Sequence, residues 1–100
     1  MKFRENLQSA SGIETILTKL SKDIEEIANL NVSEHIVDEL LKGERKNTDG
    51  LELVLYSTIT GKEAASKTDI EKLKEKNEKF KSICIRMAIA LENIKKAKKK

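Results

Sequence analysis

Residues 68–94 read TDIEKLKEKNEKFKSICIRMAIALENI, and the spacing within this stretch decides the fold class. Ile70, Leu73, Asn77, Phe80, Cys84, Met87, Leu91 and Ile94 recur at alternating steps of three and four, a heptad seam more than three repeats long. Thr68-Asp69-Ile70-Glu71 has the form of a capping box, in which a hydroxyl accepts an orphan amide and a carboxylate reaches back. The spacing predicts a helix over residues 69–97, about 43 Å long at the usual rise per residue. The pairs Glu71–Lys74, Glu75–Lys79 and Glu92–Lys96 have the offsets that support a helix from its exposed side.

The two halves of this helix differ. From Lys72 to Lys81 nearly every position off the seam is charged, whereas Ile83, Ile85, Ala88, Ile89 and Ala90 make the second half apolar almost all round. A helix that is apolar on every side is a buried one, so the second half is expected to lie centrally among other helices. The first half is expected to project as a charged coiled-coil arm whose seam a second copy of the chain would cover. In such an arm Asn77 has two readings, a buried residue that fixes register against its symmetry mate or a solvated one at a partly exposed position.

Upstream, Ile13, Leu17, Leu20, Ile24 and Ile27 share one helical face after a second capping box, Ser11-Gly12-Ile13-Glu14, which predicts a helix over about 12–30. Phe3 and Leu7 leave residues 1–10 open between an arm and an extra turn. Ser33 as an N-cap, Val32 and Val37 as a hydrophobic staple, and Gly43 as a left-handed C-terminal cap predict a short helix over about 34–42. A polar loop follows. Leu51, Val54, Leu55 and Ile59 fit a helix over about 50–60, opened by a box of Asp49 and Glu52. Leu51, Leu53 and Leu55 also alternate as in a strand, but a lone strand would leave its ladder groups unpaired, so helix is favoured.

The reading is therefore an all-α single domain spanning residues 1–100, a small bundle of three to four helices with a long C-terminal coiled-coil-like helix and a basic tail at 95–100. The absence of proline, with four glycines and three aromatic residues, agrees with it. Charge is divided along the chain: residues 1–61 carry 7 basic and 11 acidic side chains, residues 62–100 carry 13 basic and 6 acidic. An acidic N-terminal half can thus lie against a basic C-terminal helix, within one chain or between two.

Several chemistries are disfavoured. A single cysteine, Cys84, excludes an internal disulfide, and with a single histidine, His35, no His/Cys zinc cluster can form within one chain. Cys84 on an apolar seam reads as a small buried hydrophobe, and His35 near a helix start as a surface residue. A magnesium enzyme would need Glu25, Glu26, Glu34 and Asp38 to converge, and Arg4, Arg45 and Arg86 fall at positions that spacing does not bring together. Residues 1–6 start basic without an apolar run, unlike a signal peptide. The apolar stretch 83–91 is interrupted by Arg86 and far short of the roughly 20 residues needed to cross a bilayer. A cytoplasmic protein with no cofactor and no small-molecule substrate is expected.

The leading expectation is a non-enzymatic protein–protein interaction module, an adaptor, chaperone or inhibitor. It would self-associate through its C-terminal helix, with Ile70, Leu73, Asn77, Phe80, Cys84, Met87, Leu91 and Ile94 as the interface toward a second copy or a protein partner. The alternative is a nucleic-acid-binding accessory protein whose lysine-rich helix and tail, Lys95, Lys96, Lys98, Lys99 and Lys100, contact phosphates. Those lysines also suit the negative end of a helix dipole, and no aromatic residue interleaves them to stack on bases.

Overall fold

The computed structural model describes residues 12–98, which form five helices and, among the described residues, no strand. They are α1 (Ile13–Ile27), α2 (Leu30–Lys42), α3 (Asp49–Thr60), α4 (Lys67–Lys76) and α5 (Glu78–Lys98). The predicted cap at Ser11 and the alternatives for residues 1–10 lie outside the described residues.

The all-α reading holds, and the helix count and the long C-terminal helix need correction. The predicted helix over 69–97 is two helices broken at Asn77, which sits in extended backbone at φ −126° and ψ 98°. The asparagine serves both neighbours. Its N–H donates to the Leu73 carbonyl at 2.8 Å and closes α4. Its side-chain Oδ1 accepts the Phe80 N–H at 3.0 Å and opens α5. A short amide competes well for orphan backbone groups at a helix start, and this local gain ends the helix that the heptad pattern alone would continue. The break turns α4 back onto the bundle, where it packs against α3 and α5. Among the described residues no charged arm projects, and their longest dimension is 38 Å.

Other boundaries move for similar reasons. α2 starts at Leu30 because Asn29 caps it, accepting the Val32 N–H at 2.9 Å. Ser33, the expected cap, is instead fully buried one turn inside α2, its hydroxyl 2.6 Å from that of Ser21 and donating to the Ser21 carbonyl at 3.1 Å. Here a small polar pair joins α1 to α2 with its hydrogen bonds satisfied. Gly43 ends α2 in the left-handed region at φ 65°, as its position predicted. The ambiguous stretch 50–60 is helical, and its strand-forming threonines are accommodated by bonding back one turn: Thr58 Oγ1 donates to Val54 O at 2.9 Å and Thr60 Oγ1 to Tyr56 O at 2.8 Å. α4 starts at Lys67, one residue before the expected box, with Asp69 accepting the Ala65 N–H at 2.8 Å.

α5 supplies the largest share of the core. Phe80, Ile83, Cys84, Met87, Ala90, Leu91 and Ile94 are buried against Ile13, Leu17, Leu20 and Ile24 of α1, Ile36 and Leu40 of α2, Leu51 and Leu55 of α3, and Ile70 of α4. Complete burial of an aliphatic or aromatic side chain of this size contributes about 1.5–3 kcal/mol, which makes this cluster the principal source of stability. The uneven charge division is used within the chain. Arg86 meets Asp23 at 2.6 Å, Lys74 meets Glu52 at 3.3 Å, Lys67 meets Asp49 at 3.3 Å, and Lys79 pairs with Glu26. In each pair the acid comes from the first half of the chain and the base from the second.

Candidate interaction surface

The side chains of the heptad seam are gathered in one place, on the inner side of α4 and α5. Phe80, Met87 and Ile94 are fully buried, Ile70, Cys84 and Leu91 nearly so, and Leu73 and Asn77 are half-buried. The five helices of one chain therefore cover most of the seam themselves.

Cys84 illustrates the environment. Burial pushes its thiol up to about 12, and the nearby Glu52 carboxylate adds to the effect while Lys74 opposes it. A thiol so far from ionisation at neutral pH is inert as a nucleophile. Around it, burial draws the Lys74 ammonium down, but Glu52, with smaller help from Glu71 and Cys84, holds it above its ordinary value.

The outer side of α5 is different. Ile85 and Ile89 are 52% and 49% exposed, and Ala88 between them is exposed as well. The expectation that this half of the helix is buried all round is corrected here: α1, α2 and α4 cover its inner side, and among the described residues nothing covers the outer one. Beside Ile89 lies a hollow of about 260 Å³ between α1 and α5, lined by Ile16, Lys19, Arg86 and Ile89. Arg86 is held at its rim by Asp23, so the hollow has a fixed cationic edge and an apolar floor. Sequence reasoning missed this face because it read apolar residues on both sides of a helix as a sign of burial. The signal was present in the four-residue step from Ile85 to Ile89, which repeats on the side opposite the seam.

The basic tail is partly committed to the fold. Lys95 donates to the Lys46 carbonyl at 2.9 Å, and Lys98 donates to the Lys42 carbonyl. The first satisfies a loop carbonyl and the second one of the orphan carbonyls that end α2. Lys96 is exposed, and Lys99 and Lys100 lie outside the described residues.

The carboxylates singled out in the sequence separate into two groups. Glu25, Glu34 and Asp38 line one open cleft of about 490 Å³ between α1 and α2, whereas Glu26 turns away to Lys79. That hydrogen bond holds the Glu26 carboxyl below its ordinary value and the Lys79 ammonium above its own. Among the described residues, no three His, Cys, Asp or Glu side chains stand close enough to share a metal ion. His35 is exposed on α2. No helix of the described residues is long and apolar enough to cross a membrane.

Comparison with known protein families, with curated proteins and with solved structures finds no match for this chain.

Proposed function

We propose that this chain is a non-enzymatic helical protein–protein interaction module, an adaptor, chaperone or inhibitor, that self-associates through its C-terminal helix. The observation that carries the reading is the outer face of α5, where Ile85, Ala88 and Ile89 lie exposed beside the hollow at Ile16 and Arg86. Scattered exposed apolar residues are ordinary, but two half-exposed isoleucines one turn apart on a rigid helix and adjoining an apolar hollow form a patch. The surface used would be this outer face, since opening the seam would expose the core that holds the five helices together. The nucleic-acid reading has less support, because Lys95 and Lys98 already donate to backbone carbonyls and the remaining tail is a few lysines.

Size-exclusion chromatography with light scattering, read at 260 and 280 nm, tests the proposal. The wild-type chain is expected to run as a multimer with little absorbance at 260 nm. Ile85→Asp and Ile89→Asp are expected to shift it to monomer while circular dichroism stays helical, because both side chains are already half in water. A wild-type monomer would overturn self-association, and a peak rich in 260 nm absorbance would shift the reading to nucleic acid.

A further inference from the structure

The outer face of α5 carries more than the two isoleucines. At 3.6 residues per turn, Glu78, Lys81, Ile85, Ala88, Ile89, Glu92 and Lys96 fall within a stripe about 100° wide, and all seven are exposed. In chain order the stripe reads acid, base, a central apolar group, acid, base. Among the described residues none of its four charged side chains has an ion pair within the chain. Even Glu92 and Lys96, four apart on one helix, do not join, and Glu75 loses its expected partner Lys79 to Glu26.

This pattern is complementary to its own reverse. We propose that the stripe is the contact surface for a second copy of this chain, its α5 packed antiparallel about a two-fold axis at the level of residue 87. The inference rests on the self-association reading and specifies its geometry. Ile85 and Ile89 have their midpoint at 87, and so do Glu78 and Lys96. An antiparallel copy centred there sets each Ile85 over Ile89 of the second copy and each Glu78 over Lys96 of the second copy. Lys81 and Glu92 lie within one residue of the same midpoint and come together at the shoulders of the apolar centre. The hollow lined by Ile16, Lys19, Arg86 and Ile89 flanks the stripe, where it can receive the second copy's Ile85. A parallel pairing would instead lay Glu78 on Glu78 and Lys96 on Lys96, opposing like charges along the whole contact. The same patch serves both copies, as a closed two-fold interface requires, so association stops at the dimer. The apolar centre supplies the attraction and the charges set direction and register, the division of labour seen at helix–helix contacts generally.

Charge exchange across the stripe tests the geometry. Sedimentation velocity over a concentration series compares the full wild-type chain with Glu78→Lys, Lys96→Glu and the double variant, with circular dichroism confirming unchanged helicity. In each single variant two attractive contacts per dimer become repulsive, which is expected to weaken dimerisation about tenfold. The double variant re-forms both contacts with signs exchanged and is expected to recover wild-type affinity. An equimolar mixture of the two single variants is expected to form a heterodimer in preference to either homodimer. If the wild type dimerises but the double variant is no better than the singles, or no variant matters, the antiparallel register is overturned while self-association stands. A wild-type chain that remains monomeric at every concentration overturns both readings and leaves the stripe to a different protein.

Discussion

Gly43 shows how one residue can be required twice. It ends α2 at φ 65°, in the left-handed region, and the Cβ of any other residue there would lie 2.8 Å from Lys98 Cδ and 3.3 Å from Ile94 Cγ2 on α5. The first contact is with the far end of a flexible chain and can give, but Ile94 is fixed in the core. Gly61 ends α3 with a similar angle, φ 73°, and has nothing within 4 Å of the corresponding position. Gly61→Ala should therefore read the backbone cost alone, about 1 kcal/mol, and Gly43→Ala that cost plus the packing strain, about 2 kcal/mol in all. Urea unfolding of the two variants checks the difference; equal midpoints would show that α5 yields freely at this point. The C-terminal role of Gly43 was legible in the sequence, from a glycine that follows Leu40, Leu41 and Lys42. The approach of Lys98, more than fifty residues away in the chain, was not, because no local pattern encodes it.

At the scale of the helix, Asn77 is the instructive position. Heptad spacing treats it as a polar residue within a continuous helix, and both sequence readings assumed that continuity. The backbone instead adopts one extended residue, because the Asn77 side chain caps Phe80 and the turned α4 can then bury Ile70 and bring Lys74 to Glu52. Asn77→Ala is expected to cost about 1 kcal/mol in a urea titration, and Asn77→Asp, which keeps a capping oxygen, much less. A more stable and more helical Ala variant would show that the break is not held by its cap. The other boundaries repeat the lesson. Asn29 outcompetes Ser33 as the α2 cap, and what separates them is that Ser33 finds a better partner in Ser21 across the helix pair.

Over the whole molecule, the contacts between acidic α1 and basic α5 link stability to pH. Glu26 is held below its ordinary value of 4.5 by Lys79, so its contribution is present above that value and lost as pH falls through the lowered one. Lys79 is raised above 10.5 by Glu26, so its contribution is present below 10.5 and lost as pH rises through the raised value. Cys84 adds to the alkaline side: its thiol ionises near 9.0 when unfolded and only at about 12 when folded, so stability falls as pH rises from 9.0 toward 12. Urea midpoints are thus expected to form a plateau that drops at both ends. Glu26→Gln should shrink the acid-side loss and Cys84→Ala the alkaline one; curves that superimpose on wild type would show these groups to be uncoupled from folding.

The sequence by itself determined the helical class, the apolar seams that α1, α2 and α5 turn to the core and the glycine stop at Gly43, since these depend on periodicity and on residues a few positions apart. It also carried the division of charge that pairs Asp23 with Arg86 and Glu26 with Lys79. Which side of α5 faces water was a different matter. Apolar residues on both sides are compatible with a buried helix or with one that covers a core on one side and offers a second face on the other. Only the number and placement of its neighbours distinguish the two, and that placement follows from the break at Asn77, the docking of α4 against α3, and the close approach of α5 at Gly43. Each of these is a long-range packing outcome, and together they leave Ile85, Ala88 and Ile89 in water.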